Sequence, residues 1–152
     1  MLLRSIKAAC LLMIVVSQWG HAAEISHAPE AVVYPAGAPF TELVVVDETI
    51  YLAGMIGVKP GFMELVPGGI KAESKQVLDN IKQVLEANGF GMANLVKCTA
   101  MLADISQWSA FNAIYKTYFT SPYPVRSALG ANGLALGAAV ELECIGAVKQ
   151  GP

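Results

Sequence analysis

The chain has 152 residues, of which 55% are hydrophobic and only 14% are charged, and its formal net charge is −2. This length is enough for one domain with a hydrophobic core of its own. The sequence contains no basic stripe, and an acidic balance does not attract phosphate backbones, so the composition disfavours nucleic-acid binding.

The first 23 residues have the composition of a secretory signal peptide. A positively charged start is followed by the apolar run Ala8–Val16 and by a short polar segment that ends in Ala22 and Ala23, the order typical of export signals. The apolar run is about half of the roughly 20 residues that a membrane-spanning helix needs. We therefore expect a signal peptide at 1–23 and one domain at 24–152, periplasmic or secreted and free of the membrane after cleavage. A retained membrane anchor is the less favoured alternative.

Removal of the signal peptide changes which residues are available for chemistry. Eight Lys and Arg residues then stand against twelve Asp and Glu, a charge of −4, and His27 is the only histidine. A histidine-based metal site or catalytic triad therefore lacks its side chains. Cys98 and Cys144 each lie in a strand-like run, where buried free cysteine is the usual finding. A disulfide between them is permitted in an exported protein but is not required by the pattern.

The domain begins with short strand patterns and a loop. Ala31–Tyr34 is a short strand candidate. Thr41–Val46 and Thr49–Ala53 are rich in β-branched and apolar residues, and Asp47-Glu48 between them predicts a hairpin. Glycine and proline punctuate Val58–Gly69, which predicts a loop, and long glycine-bearing loops often carry function.

Two helices with a strand between them follow. Apolar residues recur at helical spacing over Val77–Leu85, and Asn88-Gly89 ends this helix with residues that tolerate a left-handed cap. Leu95–Leu102 is a strand, and Asp104 can cap the second helix. The apolar stripe of that helix consists of Trp108, Phe111, Ile114, Tyr115 and Tyr118. A stripe of this kind is more often core than a binding platform.

The last segments are extended. Arg126–Gly130 begins one strand, and Ala138–Ala147 is the final strand. Alternation along the final strand puts its apolar side chains on one face and Glu141 and Glu143 on the other. Strands with two intervening helices predict an α+β domain in which both helices pack on one face of the sheet.

Arg126 is the only arginine that follows the signal peptide. It comes after Pro122 and Pro124, which stiffen the backbone, and its rigid guanidinium fits a carboxylate through two parallel hydrogen bonds. The residues alone favour two interpretations about equally. One is an anion-binding group, and the other is a structural salt bridge with Glu141 or Glu143.

Two motifs near the end of the chain are specific: Pro-x-Arg-Ser at 124–127 and Gly-Ala-x-Val-Glu at 137–141. Further matching positions extend over nearly all of the chain after the signal peptide: Gly68, Gly69, Ile70, Glu73, Gln76, Asn80, Leu95, Val96, Lys97, Cys98, Thr99, Asp104, Asn112, Tyr115, Phe119, Leu136, Leu142 and Glu143. Together they resemble the YjgF-type or RidA-like enamine/imine deaminase family, historically also described as endoribonuclease L-PSP.

The resemblance implies a chorismate-mutase-like α+β fold that assembles as a homotrimer with ligand clefts between subunits. Active members hydrolyse reactive 2-imino acids and enamines, such as 2-iminopropanoate and 2-iminobutanoate, to 2-keto acids and ammonia, without a metal or cofactor. The position matching Arg126 holds the substrate carboxylate, and the one matching Glu141 lies beside the attacking water. The other residues expected to contact the substrate are Phe40, Gly54, Met55 and Asn112.

Four positions of the expected pocket depart from the family pattern. Phe40 stands where active members commonly have tyrosine, and Ala53 and Met55 stand where they often have serine and glutamine. Ala128 stands where cysteine is common. The pocket is therefore expected to keep its carboxylate clamp and its acid but to be more apolar than usual.

Three functional interpretations follow. The leading one is an exported imine deaminase that acts on a 2-imino acid and releases a 2-keto acid. The alternative is a trimeric small-molecule binding protein that holds carboxylates without catalysis, which the apolar departures favour. An RNA-cleaving or translation-inhibiting protein is disfavoured by the acidic charge, the lone arginine and the export signal.

Overall fold

The computed structural model describes residues 22–28 and 32–148, which form one mixed β-sheet and two α-helices. The strands are β1 (Ile25–His27), β2 (Leu43–Val46), β3 (Thr49–Leu52), β4 (Met55–Ile56), β5 (Leu95–Leu102), β6 (Val125–Gly130) and β7 (Val140–Ala147). The helices are α1 (Gly69–Ala87) and α2 (Trp108–Tyr115). The predicted signal peptide at 1–23 lies outside the described residues except for its last two positions. Neither α1 nor α2 is long and apolar enough to cross a membrane, and the same holds for every helix of the described ranges.

The sheet brings distant parts of the chain together at its centre. Its strand order is β1-β2-β3-β7-β5-β6, and β4 pairs with β7 beyond the end of β3. The β5–β6 pair is parallel, and the other pairs are antiparallel. Because β6 is at the end of this order, the strand that carries Arg126 is an edge strand within the described part of the chain.

The two faces of the sheet differ in burial. Along β7, Val140, Leu142 and Cys144 are buried, whereas Glu141 is partly exposed and Glu143 is exposed. The buried face packs against α1, which contacts β4 and β7, and α1 in turn packs against α2. The predicted α+β architecture and the alternation along the last strand are therefore confirmed.

Helix α1 follows the predicted apolar pattern and stops where the sequence predicts. The side chains that face the sheet are fully buried, namely Val77, Leu78, Ile81, Val84 and Leu85. The helix ends at Ala87, and the N–H of Asn88 donates to the carbonyl of Leu85. Gly89 then adopts a φ of 80°, a region that glycine enters without steric cost.

The prediction for the start of the domain is half right. The hairpin is confirmed, since Val46 pairs with Thr49 across the predicted turn. The strand predicted at Ala31–Tyr34 is wrong, because 32–34 is a series of bends and Ala31 lies outside the described residues. The N–H groups of these three bend residues donate to the Glu42 carboxylate, at 2.8, 2.8 and 2.6 Å. A side chain thus replaces the neighbouring strand as their acceptor, and the sheet edge is formed by β1 instead.

The predicted second helix starts later than expected. Asp104 caps the 3₁₀ helix Ile105–Gln107 rather than α2, because its carboxylate accepts the backbone N–H two residues on. Phe111 and Tyr115 are buried, as predicted for core positions, but Trp108 is 41% exposed. The aromatic stripe is therefore exposed at Trp108, the first residue of α2.

Cys98 on β5 and Cys144 on β7 form a disulfide, where free cysteines were the usual expectation. The two residues are direct partners in the antiparallel β5–β7 register, and their Cα atoms are 4.1 Å apart. Opposite positions of adjacent antiparallel strands bring Cβ atoms into bonding range. The sequence left this pairing open because strand register is not visible in a single chain pattern.

Candidate active site

Strands β3 and β4 both pair with β7, but the pairing is interrupted between them, near the middle of β7. Pairing of β3 ends with Tyr51 opposite Ile145, and pairing of β4 resumes with Met55 opposite Leu142. The chain therefore advances four residues from Tyr51 to Met55 while β7 advances only three, from Leu142 to Ile145. This extra residue is a β-bulge, a feature that often occurs beside active sites because it redirects a neighbouring side chain. Gly54 lies within the interruption.

Gly54 lies directly against the carboxylate of Glu141. A Cβ atom added to Gly54 would overlap Glu141 Oε1 and would lie 3.1 Å from Glu141 Cδ. Only glycine permits an approach this close without displacing the carboxylate. The structure therefore brings together two of the predicted site residues, one through its backbone and the other through its acid.

Glu141 opens into a cavity of about 340 Å³. The other residues that line it are Tyr34, Phe40, Ala53, Gly54, Ile56, Met63 and Ala135. Burial raises the pKa of the Glu141 carboxyl, and the nearby Glu143 raises it further. A carboxyl in this environment takes up and returns a proton more readily than an ordinary surface glutamate, which is the property of a general acid or base.

Tyr34 brings a hydroxyl to the same cavity. Its ring is 5% exposed and meets Phe40 edge-on, with 5.0 Å between the ring centroids. The hydroxyl oxygen accepts a hydrogen bond from Ile56 N–H at 3.1 Å. Burial raises the pKa of the Tyr34 phenol, the Ile56 hydrogen bond lowers it, and Glu141 and Glu42 raise it, with a net increase. The phenol therefore stays protonated and remains a hydrogen-bond donor.

Arg126 lies in a different setting, against α2. Its Nη2 donates a hydrogen bond to Asn112 Oδ1 at 2.8 Å. The guanidinium carbon is 4.4 Å from the ring centroid of Tyr115, 5.5 Å from that of Phe111 and 5.8 Å from that of Trp108. These are cation–π distances, so the aromatic stripe of α2 holds the arginine as well as contributing to the core.

The Arg126 guanidinium is only partly satisfied. Its Nη1 is buried and has no hydrogen-bond partner among the described residues, and the same is true of the Tyr115 hydroxyl. A buried donor without an acceptor costs about 1–3 kcal/mol. The unpaired Nη1 of the cation and the unpaired Tyr115 hydroxyl, whose residues line one cavity, therefore suit an incoming carboxylate.

The salt bridge considered for Arg126 is not formed. All three residues are described by the structure, and Arg126 makes no ion pair with either Glu141 or Glu143. The ion pairs of the described ranges are Lys59–Glu64, Lys75–Asp79 and Lys82–Glu86. The structural interpretation of Arg126 therefore loses its proposed partners.

The Arg126 cavity and the Glu141 cavity are separate within one chain. Arg126 lies in a cavity of about 350 Å³ whose other lining residues are Asn112, Tyr115, Lys116, Tyr123 and Pro124, none of which lines the Glu141 cavity. Arg126 pairs with Cys98, on the face that α1 and α2 cover, whereas Glu141 pairs with Met101 on the opposite face. The predicted site is thus split into two halves, Arg126 with Asn112 and Glu141 with Phe40 and Gly54.

Met55 belongs to neither half. It is fully buried in the hydrophobic core, and it pairs with Leu142, whose side chain lies on the helix side of the sheet. The prediction that Met55 contacts the substrate is therefore corrected. Its position in the motif is adjacent to Gly54, but the alternation of a strand turns its side chain away from Glu141.

Sequence reasoning missed two residues with free or nearly free hydroxyls. Tyr34 stood in a segment interpreted as a strand, and no motif marks it. Tyr115 stood in the aromatic stripe and was interpreted as core, although its spacing from Asn112, three residues earlier on a helix, places both on one face. That spacing was the available signal.

Metal-ligating side chains are not grouped in residues 22–28 and 32–148. No set of three or more His, Cys, Asp and Glu residues in these ranges is arranged to hold a metal ion.

Comparison with known proteins gives a consistent family. A family model described as Endoribonuclease L-PSP matches residues 29–148. A protein named 2-iminobutanoate/2-iminopropanoate deaminase from Capra hircus is 46% identical over 114 residues, which cover 75% of this chain and 82% of that protein. The protein of the same name from Rattus norvegicus is 43% identical over 127 residues, covering 84% and 88%. The crystal structure of RidA from the Antarctic bacterium Psychrobacter sp. matches with a TM-score of 0.72 at 32% identity, covering 78% of this chain and 99% of that one.

Proposed function

The chain belongs to the endoribonuclease L-PSP family, the YjgF or RidA-like family whose motifs it carries, and from this premise we propose that it is an imine deaminase. Its substrates are reactive 2-imino acids of the 2-iminopropanoate and 2-iminobutanoate type, and its products are 2-keto acids and ammonia. The names of the goat and rat relatives support this activity. The observation that carries the proposal is the Arg126 guanidinium, which is held in place but whose buried Nη1 has no acceptor among the described residues.

Arg126 binds the carboxylate that all 2-imino acids share. Asn112 and the Tyr115 ring fix the plane of the guanidinium before the substrate arrives, so little side-chain freedom is lost on binding. A carboxylate oxygen satisfies Nη1, and the Tyr115 hydroxyl is available to the same anion. The clamp therefore predicts selectivity for imino acids over imines that lack a carboxylate.

The complete site forms between two copies of the chain. Within one protomer the Arg126 half and the Glu141 half line separate cavities on opposite faces of the sheet, so a substrate held by one half meets the other half only from a neighbouring protomer. We take the assembly to be a homotrimer, the state that the family resemblance implies. Closed symmetry of this kind repeats one heterologous interface, and hence one composite site, at each contact.

The edge strand β6 offers the surface for this contact. Its open-face residues Val125 and Leu129 are 68% and 44% exposed, although both are apolar. An edge strand presents unpaired backbone groups to which another chain can pair, and exposed apolar side chains on it are typical of an interaction surface. A second protomer that covers β6 would lie along the strand that carries Arg126.

Glu141 supplies the proton transfers of the hydrolysis. As the water oxygen bonds to the carbon of the protonated imine, the π electrons of the C=N bond move to nitrogen and Glu141 takes a proton from the water. Glu141 then returns this proton to the nitrogen of the carbinolamine. The C–N bond breaks, the hydroxyl loses its proton to the departing ammonia, and the keto acid remains. Arg126 holds the carbon in place, so that a bimolecular attack becomes a positioned one.

We also propose that the protein acts outside the cytoplasm. The charged, apolar and small-residue order of 1–23 supports export. The Cys98–Cys144 disulfide agrees with it, because disulfides persist in oxidising compartments. Sequencing of the N-terminus from the native host tests this: a chain that starts at Ala23 or Glu24 is expected, and an intact Met1 in a membrane fraction would contradict it.

An imine generated in situ tests the activity. An amino-acid oxidase is supplied with an amino acid, so that the short-lived 2-imino acid forms beside the protein, and ammonia is followed against the spontaneous rate. The proposed function predicts faster release in proportion to protein concentration. Release at the spontaneous rate at every concentration would rule out the deaminase.

A second candidate is a binding protein that holds 2-keto or 2-imino acids without turnover. The apolar side chains of Phe40, Ala53 and Met63 around Glu141 favour it, because they leave few polar groups to act on a substrate. This candidate predicts keto-acid binding that depends on Arg126 together with ammonia release at the spontaneous rate.

A further inference from the structure

We infer that Tyr34 is a substrate-contacting residue of this site and that its hydroxyl donates a hydrogen bond to the oxygen that the attacking water brings to the substrate. The inference rests on the proposed function, because that oxygen belongs to the water of the hydrolysis and becomes the keto oxygen of the product. It assigns to Tyr34 the hydroxyl that Phe40 does not supply.

The position of Tyr34 is fixed by a buried carboxylate. Glu42 is 3% exposed, and its two oxygens accept the N–H groups of Val32, Val33 and Tyr34 at 2.8, 2.8 and 2.6 Å. Charge-assisted hydrogen bonds of this length are among the stronger ones in proteins. An irregular segment of backbone is therefore held by a side chain rather than by a neighbouring strand, and its tyrosine lines the Glu141 cavity.

The ring and the oxygen of Tyr34 are also held. Phe40 packs edge-on against the ring, and Ile56 N–H donates to the hydroxyl oxygen at 3.1 Å. Three contacts on backbone, ring and oxygen leave the hydroxyl little freedom. Such pre-positioning is what a group needs in order to orient a reacting oxygen.

The hydroxyl proton has no good acceptor in the part of the chain that the structure describes. The nearest one is the carbonyl oxygen of Gly54, at 3.5 Å, whereas a hydroxyl hydrogen bond normally spans 2.5–3.0 Å, with a mode of about 2.8 Å. The proton is thus available to a ligand in the cavity. Burial raises the pKa of the Tyr34 phenol, and Glu141, which lines the same cavity, raises it further, so the proton stays on Tyr34.

Tyr34 and Glu141 together define where the water lies. Glu141 accepts a proton from the water, and Tyr34 donates to its oxygen, so the two contacts direct a lone pair of the water oxygen toward the imine carbon. After addition the same hydroxyl contacts the carbinolamine oxygen and then the keto oxygen. Tyr34 gives up no proton in this sequence, so the proton balance stays with Glu141 and the departing amine.

The test compares two ligands that differ only in this oxygen. Calorimetric titration measures the Kd of 2-oxobutanoate, which carries the keto oxygen, and of butanoate, which lacks it. Tyr34→Phe is expected to weaken 2-oxobutanoate binding by about 3- to 10-fold, the usual effect of one neutral hydrogen bond, and to leave butanoate binding unchanged within about twofold. Tyr51→Phe is the matched control, since it removes the same hydroxyl from a tyrosine that is 46% exposed and lines neither cavity.

Equal losses for both ligands, or no loss for either, would overturn the inference. If Tyr34→Phe does not fold, a wild type that binds 2-oxobutanoate no better than butanoate would still overturn the inference, because it would have no donor at the keto oxygen. Neither measurement needs turnover. A wild type without deaminase activity but with a keto-selective loss in Tyr34→Phe would therefore refute the proposed reaction and keep the contact.

Discussion

Arg126 and Glu141 lie on opposite faces of one sheet, because Arg126 is in register with Cys98 on the helix side and Glu141 is in register with Met101 on the open side. The side chains of registered partners point the same way, so no rotamer change brings the two functional groups of one protomer together. The carboxylate clamp and the proton-transfer group thus belong to two half-sites, and their combination depends on assembly.

Replacing Arg126 by lysine tests the two-pronged clamp. A point charge does not reproduce the fork that bonds Asn112 and leaves Nη1 for the substrate, so Arg126→Lys is expected to fail almost as severely as Arg126→Ala. The loss should be on the order of 2–4 kcal/mol of transition-state stabilisation, or about 30- to 1,000-fold in kcat/KM. Asn112→Ala, which only loosens the fork, should lose less. Near-normal kcat/KM in Arg126→Lys would show that charge alone suffices.

Replacing Glu141 by glutamine separates chemistry from stability. Burial and Glu143 raise the pKa of Glu141 above its value in the unfolded chain, so its ionisation opposes folding, and stability is lost as the pH rises through the raised pKa. Glu141→Gln removes this penalty, and it should abolish deamination while remaining at least as stable as the wild type at neutral pH. Thermal melting at neutral and acid pH beside the ammonia assay measures both. A large drop in melting temperature would instead indicate a structural partner.

The pH profile should respond to Glu143. Glu141 must be ionised to take a proton from water, so kcat/KM falls as the pH is lowered through its pKa. Glu143→Gln removes a negative charge that raises this pKa, so the acid limb of the profile is expected to move to lower pH. Glu86→Gln, on the exposed surface of α1, is the control and should leave the limb in place. If the acid limb of the Glu143→Gln profile stays in place or moves to higher pH, the ionisation of Glu141 does not determine that limb.

Glu42 should be a major stabilising residue despite its charge. Glutamine keeps the size of the side chain but turns one acceptor oxygen into an N–H₂ group that faces backbone donors. Glu42→Gln is therefore expected to lower the free energy of unfolding by about 1–3 kcal/mol, measured by urea denaturation. A change below about 0.5 kcal/mol, the range of ordinary surface substitutions, would mean that the carboxylate does not hold the segment that carries Tyr34.

Local patterns predicted the parts of this fold that depend on neighbours in sequence. The burial alternation of β7, the end of α1 at Asn88 and the hairpin about Asp47 all follow from period and turn chemistry. The parts that failed depend on long-range register. Neither the parallel pairing of β6 with β5 nor the turn of Met55 into the core is visible before the strands are aligned.

The site shows the same division. Family motifs marked Arg126 and Glu141, but the separation of these residues onto two faces needed the sheet. Tyr34 was hidden for another reason: its segment is irregular and is held by the distant Glu42 carboxylate rather than by a strand. A bend that is stabilised by a side chain eight to ten residues away leaves no periodic signal.

The central claim, that each site combines Arg126 of one protomer with Glu141 of another, is tested most directly by complementation. Arg126→Ala and Glu141→Gln protomers, each inactive alone, are unfolded, mixed in equal amounts and refolded, and light scattering verifies three protomer masses. Random assembly places an intact arginine opposite an intact glutamate in about a quarter of the clefts of a symmetric trimer, so about a quarter of wild-type deaminase activity should return. A mixture no more active than the separately refolded variants would contradict the account.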